Sequence, residues 1–209
     1  MPDADAKPTN LVRVALLDRF QPAIEAALEA ALPDGWVLAK METPEYPDRA
    51  AAIRAADVAF VMGGAMPAAV IQAGGRLRFI QKLGAGVDNI DLEAARAAGV
   101  AVAKLAAGNA IPVAEHTLML MLACCRRLIT VDRQTRAGEW VKEDGRARNK
   151  HLHGKRVGII GLGAIGRALA NLLTGFGVDV VFSDPVQPPP ALARQLAVTP
   201  VDLETLNAT

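Results

Sequence analysis

The chain has 209 residues, 52% hydrophobic and 22% charged, with 23 Lys and Arg against 22 Asp and Glu for a formal net charge of +1. That is enough apolar material for one or two globular cores, and so even a charge balance gives no reason to expect nucleic acid or an anionic membrane as partner. The most apolar stretch, "TLMLMLACC", is too short to cross a bilayer, so no membrane segment is expected. Cys124 and Cys125 sit in that run and read as buried, reduced thiols of a cytoplasmic protein, with no Cys/His spacing for a metal.

The opening "MPDADAKPTN" is polar and reads as a frayed tail without a signal-peptide pattern. "LVRVALL" (Leu11 to Leu17) is a strand candidate. "PAIEAALEAAL" (Pro22 to Leu32) starts with proline and spaces its apolar residues as a helix does. "WVLAK" reads as a strand, "DRAAAIRAA" as a helix with Asp48 as N-cap, and "DVAFVM" as a strand ending at Gly63 and Gly64. "LRFIQKL" is a strand ending at Gly84, "DLEAARAAG" a helix capped by Asp91, and "VAVAK" a strand. Strand and helix thus alternate through residues 1–106, the pattern of a parallel sheet covered by helices.

Residues 107–150 read as a hinge, one long helix from about Ile111 to Arg136 with apolar Val113, Leu118, Leu122 and Ile129, and a charged linker or arm, "EWVKEDGRARNKHLHGK". The second unit, 151–209, opens with "RVGII", apolar on both faces as in the middle of a parallel sheet. The helix "AIGRALANLLTGFG" follows, with Ile165, Leu169, Leu172 and Phe176 as its apolar stripe. After the strand "VDVVFSD" come a proline-rich loop and two short helical pieces around "VTPV", an edge strand.

One motif in this second unit carries chemistry. Gly161, Gly163 and Gly166 follow a strand and open a helix as G-x-G-x-x-G. The first glycine allows a tight turn, the second lets a pyrophosphate reach the backbone, and the third lets helix and strand pack closely. Leu162, Ala164 and Ile165 complete the loop, whose bare amides and helix dipole favour phosphate. Asp184 ends the next strand 18 positions past Gly166, near the spacing of about 20 for an acid that takes the ribose hydroxyls. A carboxylate there repels a 2′-phosphate, favouring NAD over NADP.

With "QKLGAGVDNIDLEAARAAGVAV" and "GNAIPVAEHTLMLMLACCRRL" upstream of "GKRVGIIGLGAIGRALA", three motifs stand in an order that resembles the D-isomer-specific 2-hydroxyacid dehydrogenases. The resemblance implies a flavodoxin-like parallel-sheet substrate domain followed by a Rossmann NAD-binding domain, and hydride transfer between NAD(H) and a small 2-hydroxy or 2-keto acid. It assigns Leu83, Gly84, Ala85 and Gly86 to the substrate carboxylate through backbone amides, and Asn109 to the substrate side of a hinge. It places Thr117, with Val113, toward the nicotinamide. Gly63 and Gly64 are a second substrate-facing loop. It also implies a homodimer through the 111–150 helix and arm.

The family supplies an arginine, a glutamate and a histidine from sequence beyond the part matched here, so on this reading the Rossmann domain is incomplete and the 209-residue chain is inactive alone. His116, His151 and His153 read as structural or surface residues. A protein with this inventory is alternatively a non-catalytic NAD-binding regulator.

Overall fold

The computed structural model describes residues 11–41 and 49–208. The expected N-terminal tail and the Asp48 cap lie outside the described residues. The chain divides into two compact units, Met1–Ala106 and Ala107–Thr209.

The first unit runs β1 (Val12–Leu16), α1 (Pro22–Ala30), β2 (Trp36–Lys40), α2 (Arg49–Ile53), β3 (Val58–Val61), α3 (Ala68–Ala73), β4 (Phe79–Lys82), α4 (Leu92–Ala97) and β5 (Ala101–Lys104). Its strands form one parallel sheet in the order β2-β1-β3-β4-β5, the flavodoxin-like order. Successive residues face opposite ways along each strand. Ala15, Ala59, Val61 and Ile80 therefore pack with Ile53, Ile71 and Ala95 of α2, α3 and α4, while Val14, Leu16 and Val58 pack with Leu28 of α1 on the other side. Proline opens α1, where its missing N–H costs nothing. Asp91 caps α4, accepting a hydrogen bond from the Ala94 amide at 2.9 Å. Helix α3 is not anticipated from the sequence: it has six residues and one buried anchor, Ile71, too little for a period to show.

The second unit runs α5 (Ala110–Cys125), α6 (Leu128–Arg136), α7 (Lys142–Arg148), β6 (Arg156–Ile160), α8 (Ala164–Leu173), β7 (Asp179–Ser183), α9 (Pro190–Gln195), β8 (Val198–Pro200) and α10 (Leu203–Asn207). Its three strands are parallel in the order β6-β7-β8. Helix α5 lays Ala114, Leu118, Met121 and Leu122 into the same core as Leu169, Ala170 and Leu173 of α8, with Phe182 of β7 at the centre. Burying a side chain such as Phe182 or Leu173 is worth roughly 1.5–3 kcal/mol.

Four expectations need correction. The long helix is two, because Arg127 takes a left-handed conformation (φ 52°) between α5 and α6. That turn brings the Arg127 guanidinium to Asp144 at 2.7 Å, and Arg148 reaches the same carboxylate at 2.8 Å. The charged arm consequently folds as α7, and the Arg127 hydrogen bond holds the Asp144 carboxyl below its ordinary range. In the stripe of α8, Leu169, Leu172 and Phe176 pack in the core as expected, but Ile165 is exposed, and Gly166, Ala170 and Leu173 complete the buried face. Strand β6 is not apolar-buried on both faces: Val157 and Ile159 are buried, but Gly158 lies under Leu206 and Ile160 is 69% exposed. The cysteines are free as expected, yet Cys124 is exposed and Cys125, which packs against the second unit's core, is only partly buried.

Asp57, just before β3, is buried and accepts hydrogen bonds from the Arg13 amide at 3.0 Å and Arg76 at 3.1 Å. The Arg13 hydrogen bond, with help from Arg76, holds its carboxyl below the ordinary carboxylate range. A depressed folded-state value stabilises above the unfolded-chain value and is lost as pH falls through the folded one. We therefore expect Asp57→Asn to cost about 1–3 kcal/mol at neutral pH, with the difference from the parent closing as urea titrations are taken below about pH 4.

Candidate functional site

In the second unit, the site is built where β6 turns into α8. Gly161 has φ +87° and its amide donates to the Ser183 carbonyl at 2.8 Å, joining the loop to the end of β7. A side chain at Gly166 would put its Cβ 2.2 Å from the Gly161 carbonyl oxygen and 3.3 Å from Ile159, so only glycine allows the first turn of α8 to sit this close. Around Gly163, by contrast, the space a Cβ would fill is open. The Gly163 amide has no described acceptor, and the first amides of α8, on Ala164 and Ile165, have no partner within the helix. Three donors thus converge at a positive helix end, the arrangement that holds a phosphate.

Asp184 stands beside this loop and takes part in its structure. Its carboxylate accepts from the Leu162 amide at 2.6 Å and the Val186 amide at 2.7 Å, one bond per oxygen. A carboxylate has about four acceptor positions, so two are left for hydroxyls. Arg167 turns back to the loop, its Nε donating to the Leu162 carbonyl at 2.9 Å. Leu162 itself is buried, so its side chain anchors the loop.

An open groove of about 790 Å³ adjoins Asp184, walled by Ser183, Pro185 and Gln187 on one side and Pro200, Asp202 and Thr205 on the other. The second wall was not anticipated. Its signal was present: β8 follows β7 in the parallel sheet, which places its C-terminal loop beside Asp184, and Asp202 caps α10 by accepting from the Thr205 amide at 2.7 Å. That amide is the main reason the Asp202 carboxyl lies below its ordinary range.

In the first unit, the expected substrate loop follows β4. The Leu83 amide is not available, since it donates to the Val61 carbonyl at 2.8 Å and continues the β3–β4 pairing. The amides of Gly84, Ala85 and Gly86 have no described acceptor, and Ala85 and Gly86 are exposed. The Gly63–Gly64 loop is different. Asp18 already accepts from the amides of Met62, Gly63 and Gly64 at 2.6, 3.3 and 3.0 Å, so this nest is filled by the protein's own carboxylate. Arg49, buried, pairs with Asp18 at 3.2 Å and occupies the place of a Gly64 side chain.

Asn109 occupies the N-cap position of α5 but its side chain makes no cap bond, and it is exposed. Thr117, half-buried, donates its hydroxyl to the Val113 carbonyl one turn back at 2.8 Å. His116 is exposed on α5, His151 is exposed before β6, and the His153 ring fills the space beside Gly177. Among the described residues no cluster of His, Cys, Asp and Glu has a metal-binding arrangement.

A strand, a glycine turn, a helix start with free amides and an acid on the next strand define the phosphate- and ribose-binding half of a dinucleotide-binding fold. Comparison with known proteins narrows the class. Residues 118–209 match the family model "D-isomer specific 2-hydroxyacid dehydrogenase, NAD binding domain". The chain is 33% identical over 200 residues to D-3-phosphoglycerate dehydrogenase of Mycobacterium bovis, covering 95% of this chain and 37% of that protein. It is 37% identical over 137 residues to hydroxypyruvate reductase of Thermotoga maritima, covering 66% of this chain and 43% of that one. The solved structure of D-lactate dehydrogenase from Escherichia coli shares the fold with a TM-score of 0.74 and 26% identity, over 93% of this chain and 61% of that one. The resemblance read from the motifs therefore holds: this chain is a relative of the D-isomer-specific 2-hydroxyacid dehydrogenases, and it spans less than half the length of these two curated relatives.

The two glycines make opposite predictions. Gly166→Ala forces the α8 turn off the Gly161 carbonyl and is expected to destabilise the second unit by about 1–3 kcal/mol in thermal or urea unfolding. Gly163→Ala meets no neighbour and is expected to leave the unfolding midpoint almost unchanged.

Proposed function

We propose that the protein binds NAD and serves an NAD-dependent oxidoreductase of the D-2-hydroxyacid type, moving a hydride between NAD(H) and a small 2-hydroxy or 2-keto acid. The observation that carries this reading is that uncommitted backbone amides stand at both expected anion sites, Gly163–Ile165 and Gly84–Gly86. The open space at Gly163 fits a pyrophosphate, and the free acceptor positions of Asp184 fit ribose hydroxyls. The groove between Ser183 and Pro200 suits the base beyond the ribose. A 2′-phosphate would set negative charge against the Asp184 carboxylate, which favours NAD over NADP.

When bound, the nicotinamide supplies or accepts the hydride. This chain's own groups do the rest of the binding. The Gly84, Ala85 and Gly86 amides take the substrate carboxylate, and Asn109 keeps an exposed side-chain amide free for a polar contact of its own. Thr117, its hydroxyl satisfied within α5, is assigned to the nicotinamide side. Reduction of a keto group also needs a proton donor, and none of the three histidines is assigned that role. The second reading is an NAD-binding regulator that uses this same inventory of binding groups without turnover.

We further propose a homodimer through the arm and the α5–α6 face. Leu128 and Ile129 are exposed there at 52% and 80%, Trp140 is 87% exposed, and a cavity of about 360 Å³ opens beside it. The reducing cytoplasm suits the two free thiols. No described helix is long and apolar enough to cross a membrane.

Fluorescence titration of the 209-residue chain is expected to show saturable NADH binding, at least about tenfold tighter than NADPH, with Asp184→Ala weakening NADH by a similar factor. Equal affinity for the two cofactors would count against the role of Asp184. Turnover of glyoxylate, hydroxypyruvate or pyruvate by the intact gene product separates the enzyme from the regulator. For the dimer, light scattering should give twice the chain mass for the parent and a shift toward monomer for Ile129→Glu with Trp140→Ala.

A further inference from the structure

Lys82, the last residue of β4, is 8% exposed, and it lies two residues before the Gly84–Gly86 loop. A buried ammonium needs partners, and both described partners of this one are neutral oxygens: the Met62 carbonyl and Asn89 Oδ1, the latter at 2.6 Å. These two acceptors belong to different loops. Met62 follows β3 and begins the turn toward α3, whereas Asn89 lies near the end of the loop between β4 and α4.

Other bonds join the same two loops. Asn89 Nδ2 donates to the Gly64 carbonyl at 2.6 Å, the Met66 amide donates to the Asn89 carbonyl at 2.7 Å, and the Asp91 amide donates to the Met66 carbonyl at 3.0 Å. Met62 is held from both sides, its amide by Asp18 and its carbonyl by Lys82. The lysine stem borders the glycine loop directly, with Cε 3.5 Å from where a Gly84 side chain would begin.

We propose that Lys82 is the positioning residue of the Gly84–Gly86 loop. It clamps the β3–α3 turn to the far end of the β4–α4 loop, so the three free amides between these anchors hold one arrangement. Its charge, which no described carboxylate partners, adds to the attraction of those amides for an acid. The substrate role of the loop rests on the function proposed above, but the clamp itself does not.

Amide hydrogen exchange and oxalate titration, both followed by nuclear magnetic resonance on the 209-residue chain, test the two parts separately. In Lys82→Met, exchange at Gly64, Met66 and Asp91 is expected to rise about tenfold or more while Leu17 and the β1–β2 amides stay protected. Lys82→Arg, which keeps a buried donor, should recover most of the protection. If Lys82→Met fails to fold, Asn89→Leu cuts the other end of the clamp and is expected to raise exchange at Met66 and Asp91 as well. Unchanged exchange at these amides in Lys82→Met, or in Asn89→Leu where only that variant folds, overturns the clamp. In the parent, oxalate is expected to shift the Gly84, Ala85 and Gly86 amides, and Lys82→Met to weaken that binding about tenfold. An absence of oxalate shifts in the parent would remove the substrate reading and leave the clamp to be judged by exchange alone.

Discussion

The cofactor-side geometry depends on how near the first turn of α8 can come to the end of β6. With hydrogen in place of Cβ at Gly166, the turn rests against the Gly161 carbonyl. Gly161 in turn takes a positive φ and spends its amide on Ser183, so the loop is fixed to β7 as well as to β6. Only then does Asp184, at the end of β7, fall within hydrogen-bonding distance of the Leu162 amide. Relaxing the first contact would move the free amides and the acid relative to each other, although neither touches Gly166 itself.

The two units leave backbone donors uncommitted in two ways. In the second, a helix start supplies them, and the helix dipole adds to their attraction. In the first, the order β2-β1-β3-β4-β5 puts the topological switch point between β1 and β3, where open α/β sheets ordinarily bind ligands. Here that position is taken: Asp18 fills the Met62–Gly64 nest and Arg49 neutralises it. The free amides lie one strand further on, after β4. The internal carboxylate gives the Gly63–Gly64 turn a fixed shape, and through Met62 and Asn89 that shape passes to the next loop.

Most of the strand and helix order was legible, because alternating apolar runs and turn residues report it directly. What was not legible came from interactions far apart in sequence. No local pattern says that Arg127 will leave the helix to reach Asp144, since the chain between α5 and α6 is otherwise helical in composition. Nor does "MGG" reveal that Asp18, 44 residues earlier, will consume its amides. The proximity of the glycine loop and Asp184 was legible because their spacing is set by one β-α-β unit. The fate of the Leu83 amide was not, because it depends on where strand pairing stops.

The double engagement of Asp184 bears on how cofactor choice is built. An acid that only contacted ribose could be exchanged for a neutral or basic residue to admit a 2′-phosphate. Here the same carboxylate also holds the Leu162 amide, and Leu162 is the buried anchor of the phosphate loop. Removing the acid leaves that amide without its acceptor at the base of the cradle, an unsatisfied donor of the kind that costs about 1–3 kcal/mol when buried. Under the function proposed above, a substitution that removes the carboxylate set against a 2′-phosphate would therefore also loosen the loop that both cofactors share. On that reading, selectivity for NAD would be partly structural: the charge set against an extra phosphate is the charge that holds the Leu162 amide and so the shape of the loop.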